Sequence, residues 1–496
     1  MTNSRLFILS TILLLVITSC SLLPESPAEE ESPTNPVVET SPTKELPMEE
    51  DTPTKPVKGD RPFAEAVTVT PNEIQEIPDK PLSDEGPWWV FSTPEGLFAI
   101  NPDGSGLTQF YFGPINSPWA RQILISPHGG YLAYLVGESY DATLRINQFP
   151  WRTLITETPL LSYSDELDMD AMRAIVEQQS MAFSPDGQSL AFMAAIDGPT
   201  SDLYVFSLDT YDITRLTNGP SQAYQPVWSP DGKYIVHTGV SAFGTGAGST
   251  MTGVWASIPE TTDALTLYDP SGSGSERIIG WVDDQTFVVH SWDIMCGSGN
   301  LRTFNIETQE SSILWADSFR AAAFDPVNEV AVLISNDGEC SPDAGAGLYH
   351  VPTNGNKPFR FLEFTWSQVI WSEDANLFLV SNVLGSHVIA VDLYGQFIDL
   401  DMPQGAQVFP AVAPGSRDLA WAGDSLWIGA LLGSIENPPQ VIFNEPVYTV
   451  TWTPDGESVI FFSDSGLYIA HQPDYTPILI AEGLDNRNGY SDWVVP

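Results

Sequence analysis

The residues able to do chemistry are dispersed along this chain. Its six histidines are His128, His237, His290, His350, His387 and His471, and no two are close enough in sequence to form a metal-ligand pair. No H-E-x-x-H segment is present, and no G-x-S-x-G segment that would place a serine on a nucleophile elbow. Paired carboxylates carry no signal, because Asp+Glu numbers 64 and acids fall near one another everywhere. Against them stand 19 Lys+Arg, a formal net charge of −45. Such a polyanion repels nucleic-acid phosphates and anionic lipid headgroups, so binding to either through charge is excluded. What remains is a small set of arginines and three cysteines, Cys20, Cys296 and Cys340. Their meaning depends on the elements that position them.

From Trp88 onward one pattern recurs: an apolar strand ending in an aromatic or aliphatic residue, a turn, and a second apolar strand. The clearest copies are AFSPDGQSLAFMA (182–194), VWSPDGKYIVHTG (227–239) and TWTPDGESVIFFS (451–463). Looser copies place further anchors, giving Ile125, Phe183, Trp228, Trp281, Phe324, Trp371, Val412 and Trp452, 40 to 58 residues apart. That is the period of a four-stranded propeller blade. In the turn, Pro presets φ, Asp bonds local backbone and Gly supplies positive φ. Third and fourth strands follow, as in LYVFSLDTYDITRLT (203–217). These segments resemble the TolB-type, WD40-like propeller repeat, over about residues 88–496. The expected fold is all-β, a single β-propeller of four-stranded blades. The C-terminal GYSDWVVP (489–496) reads as a first strand without successors, and 88–110 as strands two to four without a first. The two ends are expected to share a blade, which removes open sheet edges. The count is nine blades, or eight if the weak copy near Val412 is irregular.

One connection is long. It contains YSDELDMDAMRAIVEQQS (163–180), where Ser164 can cap a helix with Leu167, Ala171, Ile175 and Val176 on one face. Asp165, Asp168 and Asp170 are the acids of a cation site that would compete with this reading, but the glycine and closing glutamate of a calcium loop are missing.

The N-terminus has a short basic region, an apolar run Leu6 to Ile17 and then Ile17-Thr18-Ser19-Cys20. The run is short for a transmembrane helix. The segment resembles the lipobox of bacterial lipoproteins, which implies cleavage before Cys20 and acylation of its thiol. A signal peptide over 1–19, a Pro/Glu/Ser/Thr-rich tether over 20–87 and a propeller over 88–496 are therefore expected. The tether has too few apolar residues to offset its ordering entropy. An exported chain meets oxidising conditions, and Cys296 and Cys340 fall in equivalent loops of consecutive blades, so a disulfide between them is expected.

Counting four residues back from each anchor gives a position that should ring one mouth of the central channel: Arg121, Gln179, Tyr224, Arg277, Arg320, Ser367, Val408, Tyr448 and Gly489. Three of only 13 arginines fall there. Arg121, Arg277 and Arg320 suit carboxylate, sulfate or phosphate, Tyr224 and Tyr448 suit stacking, and Gln179 adds an amide. The competing reading is that each arginine pairs with a nearby acid and only holds blades together. The function expected is a non-catalytic binding module, held outside the cytoplasm on a bacterial membrane by lipidated Cys20, with no cofactor. Its partner is expected to be an envelope protein, or an anionic small molecule or glycan, and not a nucleic acid. The alternative is a propeller hydrolase or lyase acting on an anionic saccharide or lactone.

The lipobox reading makes a direct prediction. Cys20→Ser should leave the protein unprocessed or release it to the soluble fraction when membranes are fractionated. A processed Cys20→Ser protein that still sediments with membranes refutes the anchor.

Overall fold

The structure, a computed structural model, describes residues 77–495 except 114–122, 138–140, 163–168, 178, 244–248, 269–273, 294–298, 318, 336–344, 364, 373–375, 383–384, 386, 401, 417, 432–438 and 488. These residues form 36 strands. They build nine four-stranded antiparallel blades in a ring. Eight blades run in chain order from the innermost strand outward. Their inner strands are Ile123–Ile125, Met181–Phe183, Gln222–Trp228, Gly274–Trp281, Ala321–Asp325, Trp366–Ser372, Ala411–Val412 and Val447–Trp452. They are blades 2 to 9 below. A single parallel pairing, Thr250↔Gly274, links blades 4 and 5 into one continuous sheet.

Blade 1 is built from both ends of the chain. Its inner strand is Ser491–Val494, and Trp88–Thr93, Gly96–Ile100 and Thr108–Phe112 follow outward. The register sets Trp88 opposite Val494 and Trp89 opposite Trp493. The expected closure is observed and the count is nine. The copy at Val412 is a complete blade despite an inner strand of only two residues, Ala411–Val412.

The Pro-Asp-Gly turns behave as their residue types require. Gly187, Gly232 and Gly456 take φ of 68°, 73° and 72°. Asp186 accepts hydrogen bonds from the Ser184 hydroxyl at 2.6 Å and from Gln188 N at 3.0 Å. Asp231 and Asp455 repeat the arrangement. The Ser184 hydroxyl, and then the Gln188 N–H, hold the Asp186 carboxyl below its ordinary pKa.

The core is a set of interfaces between blades. Second and third strands bury residues on both sheet faces, as in WWVFST (88–93) and VAVLIS (330–335), where every residue is buried. One apolar cluster joins blades 5 and 6 through Val288, Leu301, Phe319, Phe324 and Leu333. Another joins blades 9 and 1 through Trp89, Phe91, Ile460 and Phe462. Three anchor tryptophans add a polar tie to the preceding blade. Trp228 Nε1 donates to Ala182 O at 2.9 Å, Trp452 Nε1 to Ala411 O at 3.1 Å, and Trp493 Nε1 to Thr451 Oγ1 at 3.0 Å. Each reaches the residue just before the preceding anchor, so Trp493 is an anchor like the others.

The strand that closes the ring is held by Asn486, which is 2% exposed. Its Nδ2 donates to Ser92 O at 2.6 Å and to Tyr490 O at 3.1 Å, and its Oδ1 accepts from Thr449 Oγ1 at 2.9 Å. One side chain thus binds blade 1, blade 9 and the closing connection. Removing it leaves buried polar groups unpaired. Asn486→Ala should destabilise the ring by about 2–4 kcal/mol in urea denaturation. A loss below about 0.5 kcal/mol, the range of ordinary surface substitutions, would show that closure does not depend on this clasp.

Candidate functional site

In each antiparallel blade the turns from first to second and from third to fourth strand leave on one face of the ring. The loops from second to third strand, and the connections to the next blade, leave on the other. The Pro-Asp-Gly turns mark the first, the turn face. The second, the loop face, carries the longest connection, 160–180.

That connection contains a helical turn at Met169–Met172 that widens into a π-helix at Arg173–Glu177. Ala171, Ile175 and Val176 are buried, as the amphipathic pattern required, while 163–168, including Ser164 and Leu167, lie outside the described residues. Asp165 and Asp168 lie there too. The third acid of that group, Asp170, is used locally. Its Oδ1 accepts from Phe243 N at 3.1 Å, and Arg173 Nη1 donates to Phe243 O at 2.9 Å. Both polar groups of one residue at the end of Ile235–Phe243 in blade 4 are satisfied by the insertion. The insertion thereby lies over the loop-face end of blade 4.

This placement decides the fate of the channel-mouth residues. Tyr224 is 3% exposed and shares a core cluster with Ala174 and Val240. Its ring meets Phe243 edge-on with centroids 5.5 Å apart, so it presents no open stacking face. Tyr448 gives its hydroxyl to Asp464, and Arg487 covers its ring at 4.6 Å from the centroid. Arg487 also pairs with Asp464 at 2.8 Å and Asp485 at 3.1 Å. Val408 fills the space beside Gly385, and Ser367 is half-buried. Gly489 is exposed but has no room for a side chain: a Cβ there would lie 2.3 Å from both Asn486 Nδ2 and Ser92 O. Arg121, Cys20, Cys296 and Cys340 lie outside the described residues. Gln179, Arg277 and Arg320 are exposed.

Arg277 stands directly across from His290 in the register of blade 5. The His290 ring lies 4.5 Å from the ring of Phe319, the residue before Arg320. Burial, and then the charge of Arg277, lower the His290 pKa to about 4, so the ring is neutral at pH 7. Its Nε2 is buried without a hydrogen-bond partner. His290 and Phe319 were invisible to the spacing argument, which treated each histidine as an isolated residue. The signal available was that His290 lies within the second strand, Thr286–Asp293, opposite an arginine on the first.

The other polar clusters are structural. Glu276 is clamped by Arg302 at 2.6 Å and by the Tyr268 hydroxyl at 2.5 Å, between blades 4 and 5. Burial pushes the Tyr268 phenol up. Asp202, buried in blade 3, takes Arg215 at 2.6 Å, Thr217 Oγ1 at 2.8 Å and Gly219 N at 2.9 Å. Ser458 Oγ lies 2.7 Å from His471 Nδ1, but the pair sits on the turn face and the serine is 6% exposed, out of reach of a substrate. Among the described residues no group of three His, Cys, Asp or Glu side chains is placed to hold a metal.

Comparison with known proteins places the fold rather than the function. No protein-family model matches the chain. A crystal structure of the eukaryotic initiation factor is similar over 83% of this chain and 98% of its own, at 14% identity and a TM-score of 0.53. TolB from Acinetobacter baumannii is similar over 64% of each chain, at 16% identity and a TM-score of 0.31. Porphyromonas gingivalis dipeptidyl peptidase 4 is similar over 75% of this chain and 63% of its own, at 11% identity and a TM-score of 0.48. At these identities the likeness is one of fold. In sequence, 56 residues are 39% identical to the uncharacterized peptidase YuxL of Bacillus subtilis (strain 168), which is 11% of this chain and 8% of that protein. The chain thus spans a small fraction of the curated relative that it matches.

A buried and a half-buried histidine give the ring an acid limit. His237, stacked on Trp255 in blade 4, has its pKa lowered to about 4 by burial, as His290 does. Unfolded, each binds a proton near pH 6.5. The unfolded state therefore holds more protons between about pH 6.5 and 4, and folding stability falls as pH drops through that window. The slope contributed is at most about 1.4 kcal/mol per pH unit for each ring. Urea midpoints measured from pH 7 to 4.5 should fall, and His237→Gln should flatten the fall. An unchanged slope in that variant would refute the assignment.

Proposed function

We propose that this chain is a binding module, held to a bacterial membrane by lipidated Cys20, that receives its ligand on the loop face of the ring. The observation that carries the reading is the chemistry offered on that face. Gln179, Arg277 and Arg320 stand exposed there in a protein whose net charge is −45. A cation in such a chain has acids available on every side, and exposure of two arginines leaves them to an external partner. The described histidines lie on separate blades, 2, 4, 5, 6, 7 and 9, which favours binding over a shared acid–base centre. Asp170 and Arg173 of the long connection cap Phe243 on the same face, as a wall beside a binding surface does.

The face assignment is testable without knowing the ligand. In a Cys296→Ser, Cys340→Ser background that retains Cys20, a bulky maleimide polymer is attached to Gln179→Cys on the loop face or Lys233→Cys on the turn face. Recovery of envelope components from native extracts should be abolished by the first and unchanged by the second. Loss only with the polymer at position 233 overturns the proposal.

A further inference from the structure

Asn-Gly occurs three times in the chain, as Asn218-Gly219, Asn354-Gly355 and Asn488-Gly489. Each pair carries the atoms of one intramolecular reaction. The glycine nitrogen, once it has lost its proton, can attack the side-chain carbonyl carbon of the asparagine. The new C–N bond closes a five-membered succinimide and ammonia leaves. Water then adds to the ring and opens it to aspartate or isoaspartate. Glycine permits the attack because no Cβ obstructs it. Local sequence offers this chemistry equally at all three places. The fold decides whether the glycine N–H and the asparagine amide are free to react.

At Asn218-Gly219 both groups are held. Gly219 N donates to Asp202 Oδ1 at 2.9 Å, and Asn218 Oδ1 accepts from Arg215 Nη2 at 2.9 Å. Asp202 is 1% exposed and is itself fixed by Arg215 and Thr217. An N–H bonded to a buried carboxylate resists losing its proton, because the nitrogen anion would face a second negative charge. At Asn488-Gly489 the nucleophile is occupied as well: Gly489 N donates to Asn486 O at 3.0 Å within the closing clasp. The tight contacts of Gly489 with Asn486 and Ser92 leave its backbone no room to turn.

Asn354-Gly355 differs at each of these points. It forms the tip of the turn-face hairpin between Gly347–Pro352 and Phe359–Leu362, the third and fourth strands of blade 6. Thr353 fixes the base of that hairpin, giving its N and Oγ1 to Glu329 O at 3.1 and 2.9 Å. The next four residues, Asn354 to Lys357, are all exposed. Among the described residues Gly355 N makes no hydrogen bond. A Cβ built on Gly355 would meet no heavy atom within 4 Å, so ring closure has open space. Asn354 Oδ1 accepts from Asn356 N at 3.1 Å. That N–H polarises the carbonyl under attack and faces the oxygen on which negative charge develops.

We infer that Asn354 is a deamidation site of the folded protein, selected from the three Asn-Gly pairs by the free Gly355 N–H and the Asn356 donor. The product adds one negative charge to the turn face, and in its isoaspartyl form one methylene to the backbone of the hairpin. The tip joins only the two outer strands of one blade, so the ring and the loop face keep their structure. The inference is independent of the loop-face reading.

The test incubates the full processed chain at pH 8.5 and 37 °C, native or in guanidinium chloride, and maps its peptides by mass spectrometry at intervals. In the native chain the peptide holding Asn354 should convert from amide to acid at least about tenfold faster than those holding Asn218 and Asn488, because hydrogen bonds must first break at the other two. In denaturant the three should convert at similar rates. The native reaction should slow as pH is lowered, since the attacking nitrogen must lose its proton. Asn354→Gln should stop it on this timescale, because the ring would need a sixth member. Native conversion at Asn218 or Asn488 as fast as at Asn354 overturns the inference. So does an Asn354 that stays intact in the native chain while it converts in denaturant.

Discussion

A sheet that is apolar on both faces has to be covered twice, and a ring is the arrangement in which every such sheet covers its neighbours. Blades 1 to 9 all share this condition. Strands such as Val330–Ser335 bury each residue regardless of which face it points to. An open array of these blades would leave two terminal faces wet, at about 25 cal/mol for each Å² of apolar surface exposed. Closure through Ser491–Val494 covers both at once, and Trp89 and Phe462 then pack between the first and last blades. The anchor tryptophans, the Asn486 clasp and the register of each inner strand all depend on this mutual covering.

The charge of the protein is accommodated by the same architecture. Most acids are carried in turns and outer connections, where water screens them. Those that are buried are bonded from several sides. Asp202 accepts from Arg215, Thr217 and Gly219, and Glu276 accepts from Arg302 and Tyr268. A buried carboxylate without such partners would cost several kcal/mol. Arg215 and Arg302 are consumed in this way. Arg277 and Arg320 stand apart because both are exposed and hold no carboxylate among the described residues.

The two faces of the ring differ for a topological reason. On the turn face, the Ser/Thr-Pro-Asp-Gly hairpins of blades 3, 4 and 9 close on themselves, leaving little to offer a partner. Connections on the loop face must travel from one blade to the next, so they tolerate insertions. The insertion at 160–180 uses this tolerance and then becomes part of the wall by capping the backbone of Phe243.

Much of the fold was legible from residues taken in order. A period of 40 to 58 residues, Pro-Asp-Gly turns and complementary ends suffice for a propeller of eight or nine blades with a shared closing blade, because turn chemistry and apolar alternation are local properties. The site was legible only in part. Counting four back from an anchor assumes uniform register, and the inner strands break it. Register shifts fall between Tyr224 and Val227, between Ile278 and Gly280, between Trp366 and Gln368, and between Val447 and Thr449. Each shift of one residue changes the face on which the counted side chain lands, and packing against Ala174 and Phe243 then buries Tyr224 while Arg277 stays exposed. His290 and Phe319 joined the site only through pairing across strands and blades. The sequence by itself determined the repeat, the turns and the place of closure, and the structure decided nine blades over eight. Which of the counted side chains stay exposed was decided by the bulges and by the packing of blade on blade, since parity in a strand is a property of its neighbours as much as of its own residues.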